Sequence, residues 1–288
     1  MIGKLATRVL LFGGSAIAMA QPAVTVKSLI DEEPRVYLVP PTSPEFAKAV
    51  AASPYDIVRQ VPPLYPYSAA MVNDTDQDAF AYAVSWKGND AAGKEISHTF
   101  ETGSVYTLPF APSDIRAHSV GVLLPRMGGA DVVASRRPEK VQEALGKQLA
   151  YLNRYRSMTV TLDVVLFRDG LAVGPDPGHC IPRWKARPDA TREIAELVRG
   201  KTDAEAKAGL EAIVSEALKR PGAHLAGGGA ASTYEEAIVL ERAHVANTEL
   251  AFMKLNGEAE LSAFKARTKD LAFPQVHRLK LNRQEEQK

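Results

Sequence analysis

Residues 79 to 86 read AFAYAVSW, and this alternation constrains the fold more than any other feature of the chain. Successive side chains of a strand point to opposite faces. Phe80, Tyr82, Val84 and Trp86 are therefore expected on one face, and Ala79, Ala81, Ala83 and Ser85 on the other. Burying each large side chain contributes about 2 kcal/mol, so their face should form a core wall. The alanine face cannot fill a second wide core. It either lies against solvent or admits another element at close range. A shelf for a C-terminal helix explains why alanine stands where an exposed strand favours Thr. Asn89 to Gly93 is a turn signal, which predicts that 79–87 and 94–101 pair as a hairpin.

The β reading extends from Tyr67 to Gly174, with further strands expected over 67–73, 105–108, 118–124 and 158–167. In the last, Met158, Val160, Leu162, Val164 and Leu166 are placed on one face. Thr159, Thr161, Asp163, Val165 and Phe167 take the other. Val141, Leu145, Leu149 and Leu152 recur at helical spacing and predict a helix over 138–153. Residues 21–66 are dense in proline, and each proline fixes φ and lacks an N–H. A short helix is expected over Pro44 to Arg59, with Phe46, Val50 and Ile57 along one face, and the segment as a whole is read as an extended arm lying against the domain. Beyond Arg187 the pattern turns helical. Pro188-Asp189 is expected to open one helix, Thr202 with Glu205 to cap a second, and Ser232 with Glu235 to cap a third. Gly227 to Gly229 reads as a flexible joint. The expected fold class is α+β: an antiparallel β-sandwich over 67–186 with a helical insertion near 138–153, then a helical segment over 187–288 with a charged tail.

Asn73 to Phe100, with Trp86 inside it, and the later run Val164 to Gly170 (VVLFRDG) resemble the Ig-like or fibronectin-like modules of uncharacterised exported bacterial proteins. The resemblance implies a sandwich and a role in binding or spacing other proteins. The inter-sheet disulfide of antibody domains is impossible here, because Cys180 is the only cysteine.

Export is expected from the N-terminus as well. Lys4 and Arg8 precede an apolar stretch, Val9 to Ile17, and Ala18-Met19-Ala20 places small residues where a signal peptidase reads. A cleaved signal peptide over 1–20 makes the protein periplasmic or secreted; a short N-terminal anchor is the alternative. Removing Lys4 and Arg8 leaves 33 basic residues against 34 acidic ones, a formal charge of −1. A near-neutral chain with scattered Lys and Arg has no field to draw in nucleic acid. No later segment has the length and apolarity of a membrane span.

Candidate chemistry is sparse. Asn73 to Asp78 (NDTDQD) looks like the start of a calcium loop, but Ala79 and Ser85 stand where the loop needs Gly and Glu. An acidic turn is favoured. His179-Cys180 comes nearest to a thiol nucleophile, yet adjacent residues seldom present both groups to one substrate. The six histidines show no metal-ligand spacing, and no phosphate loop or other cofactor motif occurs. Neither metal nor cofactor is expected. The binding residues are instead taken to be Ala79, Ala81, Ala83 and Ser85, with the helical stripe Tyr234, Ile238, Val245 and Phe252. That stripe either packs on the rest of the protein or self-associates. The expected function is non-catalytic: binding or organising another protein or an envelope component. An extracytoplasmic enzyme using the Cys180 thiol and a calcium-stabilised adhesion module are the alternatives.

Overall fold

The alternating stretch forms β4 (Ala79–Asp90), an inner strand of the larger of two sheets. It pairs antiparallel with β5 (Glu95–Gly103) across the expected turn, where Asp90 Oδ1 accepts the N–H groups of Ala92 and Lys94, both at 2.9 Å. Its other neighbour is β7 (Tyr155–Phe167). β1 (Ala23–Ser28) joins β7 in parallel, and β8 (Leu171–Val173) joins it antiparallel further along. β9 (His277–Arg278) runs parallel to β8. The smaller sheet is antiparallel: β2 (Val36–Val39), β3 (Ala69–Asn73) and β6 (Ser119–Leu123), in that order. The computed structural model describes residues 23–103, 115–125, 138–219, 231–257, 259–268 and 275–278. The described residues are mixed α and β, 47% helical and 28% strand.

Both sheets contribute to one core, in which Leu38, Met71 and Leu123 share a cluster with Val84, Trp86 and Leu162. The sheets are not closed. The parallel pairs β1–β7 and β8–β9 also depart from the wholly antiparallel immunoglobulin arrangement.

Two β-bulges correct the expected assignment of faces. Ala79 pairs with Phe167 and Ala81 with Leu166, so Phe80 is an extra residue on β4. Ala83 pairs with Val164 and Val84 with Leu162, so Asp163 is an extra residue on β7. A one-residue slip sends every side chain beyond it to the other face. Ala79 consequently joins Tyr82, Val84 and Trp86 in the inter-sheet core, while Phe80 turns to the alanine side. On β7, Val165 and Phe167 join Met158, Val160 and Leu162; Val164 and Leu166 face the other way.

The proline-rich segment is folded in, not extended as an arm. It supplies β1, β2, α1 (Pro44–Ala52), α2 (Asp56–Gln60) and a 3-10 turn over Pro62–Tyr67. Ser43 caps α1 by accepting the Phe46 N–H at 3.0 Å, with Pro44 in the first turn. Val61 and Leu64 are fully buried. Its prolines fall largely at helix starts and turns, where a missing N–H leaves no gap in a ladder.

α3 (Pro138–Leu152) stands where the apolar spacing put it. α4 (Cys180–Val198) starts well before Pro188, which lies inside it. The residue that opens α4 is Asp176, whose carboxylate accepts the N–H groups of Cys180 at 2.6 Å and Ile181 at 2.9 Å. α5 (Asp203–Leu218) carries the expected Thr202–Glu205 capping box. α6 (Tyr234–Asn256) is capped one residue later than expected, by Thr233 with Glu236, and α7 (Ala259–Thr268) follows. α4 serves two cores. Ile181 and Trp184 pack on Ala81 and Ala83, while Ile194 and Val198 pack with Leu210, Val245 and Phe264. The boundary expected after residue 186 therefore falls within a helix. No helix among the described residues is long and apolar enough to cross a membrane. The expected signal peptide (1–20), the expected strand over 105–108, the expected joint at Gly227–Gly229 and the charged tail lie outside the described residues.

Candidate functional site

The alanine shelf is occupied by the chain's own α4. Ala81 and Ala83 are fully buried against Ile181 and Trp184, Ala79 faces the inter-sheet core, and Ser85 lies where the shelf turns polar. The Tyr234, Ile238, Val245 and Phe252 stripe is not assembled into one surface. Val245 is buried and Ile238 half-buried, whereas Tyr234 and Phe252 are exposed near opposite ends of α6. The Tyr234 hydroxyl donates to Asp189 at 2.7 Å.

The buried stripe of α6 runs instead through Ala237, Glu241, Val245 and Glu249. Glu241 has no exposed surface and accepts from Arg183 at 2.8 Å and Arg187 at 3.2 Å. Arg183 also reaches Glu101 of β5 at 2.7 Å, so it bolts the helices to the sheet. Glu249 lies 3.3 Å from Arg267, yet burial still pushes its carboxyl up to about 7.

Cys180 is completely buried at the start of α4, while His179 beside it is exposed with φ +53°. The two groups are not brought together. Burial foremost, then the Glu101 and Asp176 charges, push the thiol pKa up, and a thiol that stays protonated is no nucleophile. The Asn73–Asp78 turn spends its oxygens internally. Asp78 accepts the Ala117 N–H at 3.0 Å, and Asp74 and Asp76 each hold one nitrogen of His118 at 3.1 Å. Among the described residues no group of three or more His, Cys, Asp and Glu could hold a metal ion.

Two recesses lie on opposite faces of the larger sheet, and a further one, of about 410 Å³, opens beside Lys185, Asp189, Arg192 and Tyr234. The first is an apolar cavity of about 220 Å³. Its floor is Tyr82, Val84, Trp86 and Phe100; β6 closes one side, and Ile57 and Val58 of α2 close another. The indole N–H of Trp86 is buried and has no acceptor among the described residues.

The second recess is a polar cleft of about 550 Å³ over the far half of the alanine–serine face. At its floor Asp163 accepts a hydrogen bond from Ser85, whose Oγ also lies 2.8 Å from Thr99 Oγ1. Burial pushes the Asp163 carboxyl up to about 6; the Ser85 bond and the Lys87 charge oppose this rise, and Asp176 adds to it. Neither recess was found from the sequence. The cavity draws on α2, the second of two helices that stand where one was expected over 44–59, but nothing in the sequence placed it against β4 and β6. In the sequence Asp163 is only one polar position in an alternating strand, although an acid inside a run of Val and Leu is a usable signal. No protein-family model matches this chain, and no curated protein or solved structure shows significant similarity to it.

Proposed function

We propose that this chain is a non-catalytic binding protein of the extracytoplasmic space, and that the inter-sheet cavity holds an apolar group of an envelope component. The observation that carries this reading is an apolar cavity of about 220 Å³ lined by Trp86, whose indole N–H is unpaired among the described residues. An apolar cavity of ~150 Å³ takes a benzene ring, so this one suits an aromatic ring or a short acyl chain. An unpaired buried donor costs about 1–3 kcal/mol, which an acceptor on the ligand recovers. Lys4, Arg8 and Ala18-Met19-Ala20 support export. Two β layers around one core support a sandwich-like module, without immunoglobulin connectivity. The burial of Cys180 and the internal pairing of the Asn73–Asp78 turn give the thiol-enzyme and calcium readings no support.

The test is a titration with octanoate and with 3-phenylpropionate, read by melting temperature. A ligand that binds only the folded state raises it in a saturable way. Trp86→Phe, which keeps an aromatic ring and removes the N–H, should weaken the effect; Val120→Phe, which fills the β6 side, should abolish it. Melting temperatures unmoved by either probe would overturn the reading.

A further inference from the structure

The polar cleft lies on the face of β4 opposite Trp86, so its occupancy is independent of the inter-sheet cavity. We propose that it is a binding site for a neutral oligosaccharide. Strand register builds the floor. Thr99, Ser85, Thr161 and Lys27 form one row across β5, β4, β7 and β1, and Lys87 with Thr159 belongs to the next. Ser85, Thr161 and Asp163 line the cleft although they are only 5%, 8% and 2% exposed. Buried polar side chains persist where they find partners. Asp163 has Ser85 as its hydrogen-bond donor and makes no ion pair among the described residues, so its carboxylate retains capacity to accept.

The backbone is shaped to put Asp163 there. It is the extra residue of the β7 bulge, a device that re-aims a side chain. Gly174 passes directly against it: a Cβ there would sit 2.4 Å from the Asp163 carbonyl oxygen, and φ is +105°. Only glycine fits that approach.

Charge selects the ligand class. The exposed rim carries Lys27 and Lys87 together with Glu95, above the Asp163 carboxylate. A cationic ligand meets two lysines and an anionic one meets two carboxylates, so each is opposed. A neutral polyol meets no such opposition. Its hydroxyls donate to Asp163, and its oxygens accept from the lysines and from the Ser and Thr hydroxyls. The volume of about 550 Å³ falls within the ~300–1,000 Å³ typical of small-ligand sites.

Calorimetry and saturation-transfer NMR on the full chain, with maltohexaose and chitohexaose as neutral probes and a sulfated hexasaccharide as control, test the assignment. At least one neutral probe should bind saturably, with an affinity that survives high salt. Asp163→Asn should weaken it about tenfold or more. Thr99→Val, at an exposed position, should weaken it with the melting curve unchanged, and Trp86→Phe should leave it alone. The assignment is overturned by no binding of either neutral probe, by binding indifferent to both cleft variants, or by binding of the sulfated probe alone that vanishes in high salt.

Discussion

Burial raises Asp163 to about 6, above the ~3.9 of an unfolded aspartate. The unfolded chain therefore ionises first, and stability falls as pH rises from about 4 to about 6. Above that range the folded state carries the whole penalty, roughly 3 kcal/mol unscreened and nearer 1–2 with solvent in the cleft. Asp163→Asn keeps an acceptor for Ser85 and removes the buried charge. Urea melts should find the variant more stable than the parent at pH 8 by about 1–2 kcal/mol, with the gap closing towards pH 4. A variant that is weaker at pH 8 would mean that the Ser85 bond outweighs desolvation. The same substitution should thus strengthen the fold and weaken saccharide binding, as expected where a charge is kept for function. Cys180 gives a second check. Its buried, protonated thiol should resist alkylation in the native state and react on unfolding. Fast labelling of native protein would bring thiol chemistry back. At the acidic turn, Asp74 foremost and then Asp76 raise the His118 pKa, so this contact stabilises the fold below about pH 6.5 and is lost as pH climbs through the raised value. Added calcium should leave the melting temperature unmoved.

Arg183 shows what a whole element depends on. It links β5 through Glu101 to α6 through Glu241, and all three side chains are largely withdrawn from water. Arg183→Met would leave buried carboxylates short of a partner, an effect of about 3–5 kcal/mol. Thermal or urea unfolding measures it, and a loss below about 1 kcal/mol would show that Arg187 alone suffices for Glu241. Elements of this chain were legible where one physical signal dominated. The β4–β5 hairpin followed from its turn, α3 from a clean apolar stripe, and α5 from its Thr202–Glu205 cap. Faces were less legible. Val164 to Phe167 is buried on both sides of the sheet, so it carries no alternation that would locate the bulge at Asp163. The start of α4 is not legible, because Pro188 resembles a first turn while the side chain that holds the true first turn, Asp176, acts from within a loop. The burial of Glu241 and Glu249 is not legible in the sequence, because their arginine partners, Arg183, Arg187 and Arg267, lie far away in sequence or on another helix.

The molecule as a whole is organised around its larger sheet and the helix seated on it. One face of β4 closes the core shared with the smaller sheet and bounds the apolar cavity; the other is divided between α4 and the polar cleft. Because α4 packs on Ala81 and Ala83 near its start and on α5, α6 and α7 near its end, neither core can open without baring one side of the same helix. The sheets and the C-terminal helices should therefore unfold as one cooperative unit, even though the sequence reads as two segments. The two tryptophans report on the β core and on the α4 seam separately, since Trp86 faces the first and Trp184 lies in the second. Urea transitions followed by Trp86 fluorescence in Trp184→Phe, and by Trp184 fluorescence in Trp86→Phe, should each coincide with the far-ultraviolet circular dichroism of the same variant. A Trp86 signal persisting to higher urea than the helical signal would show that the sheets stand alone and that α4 is a lid on them, not a beam between two cores.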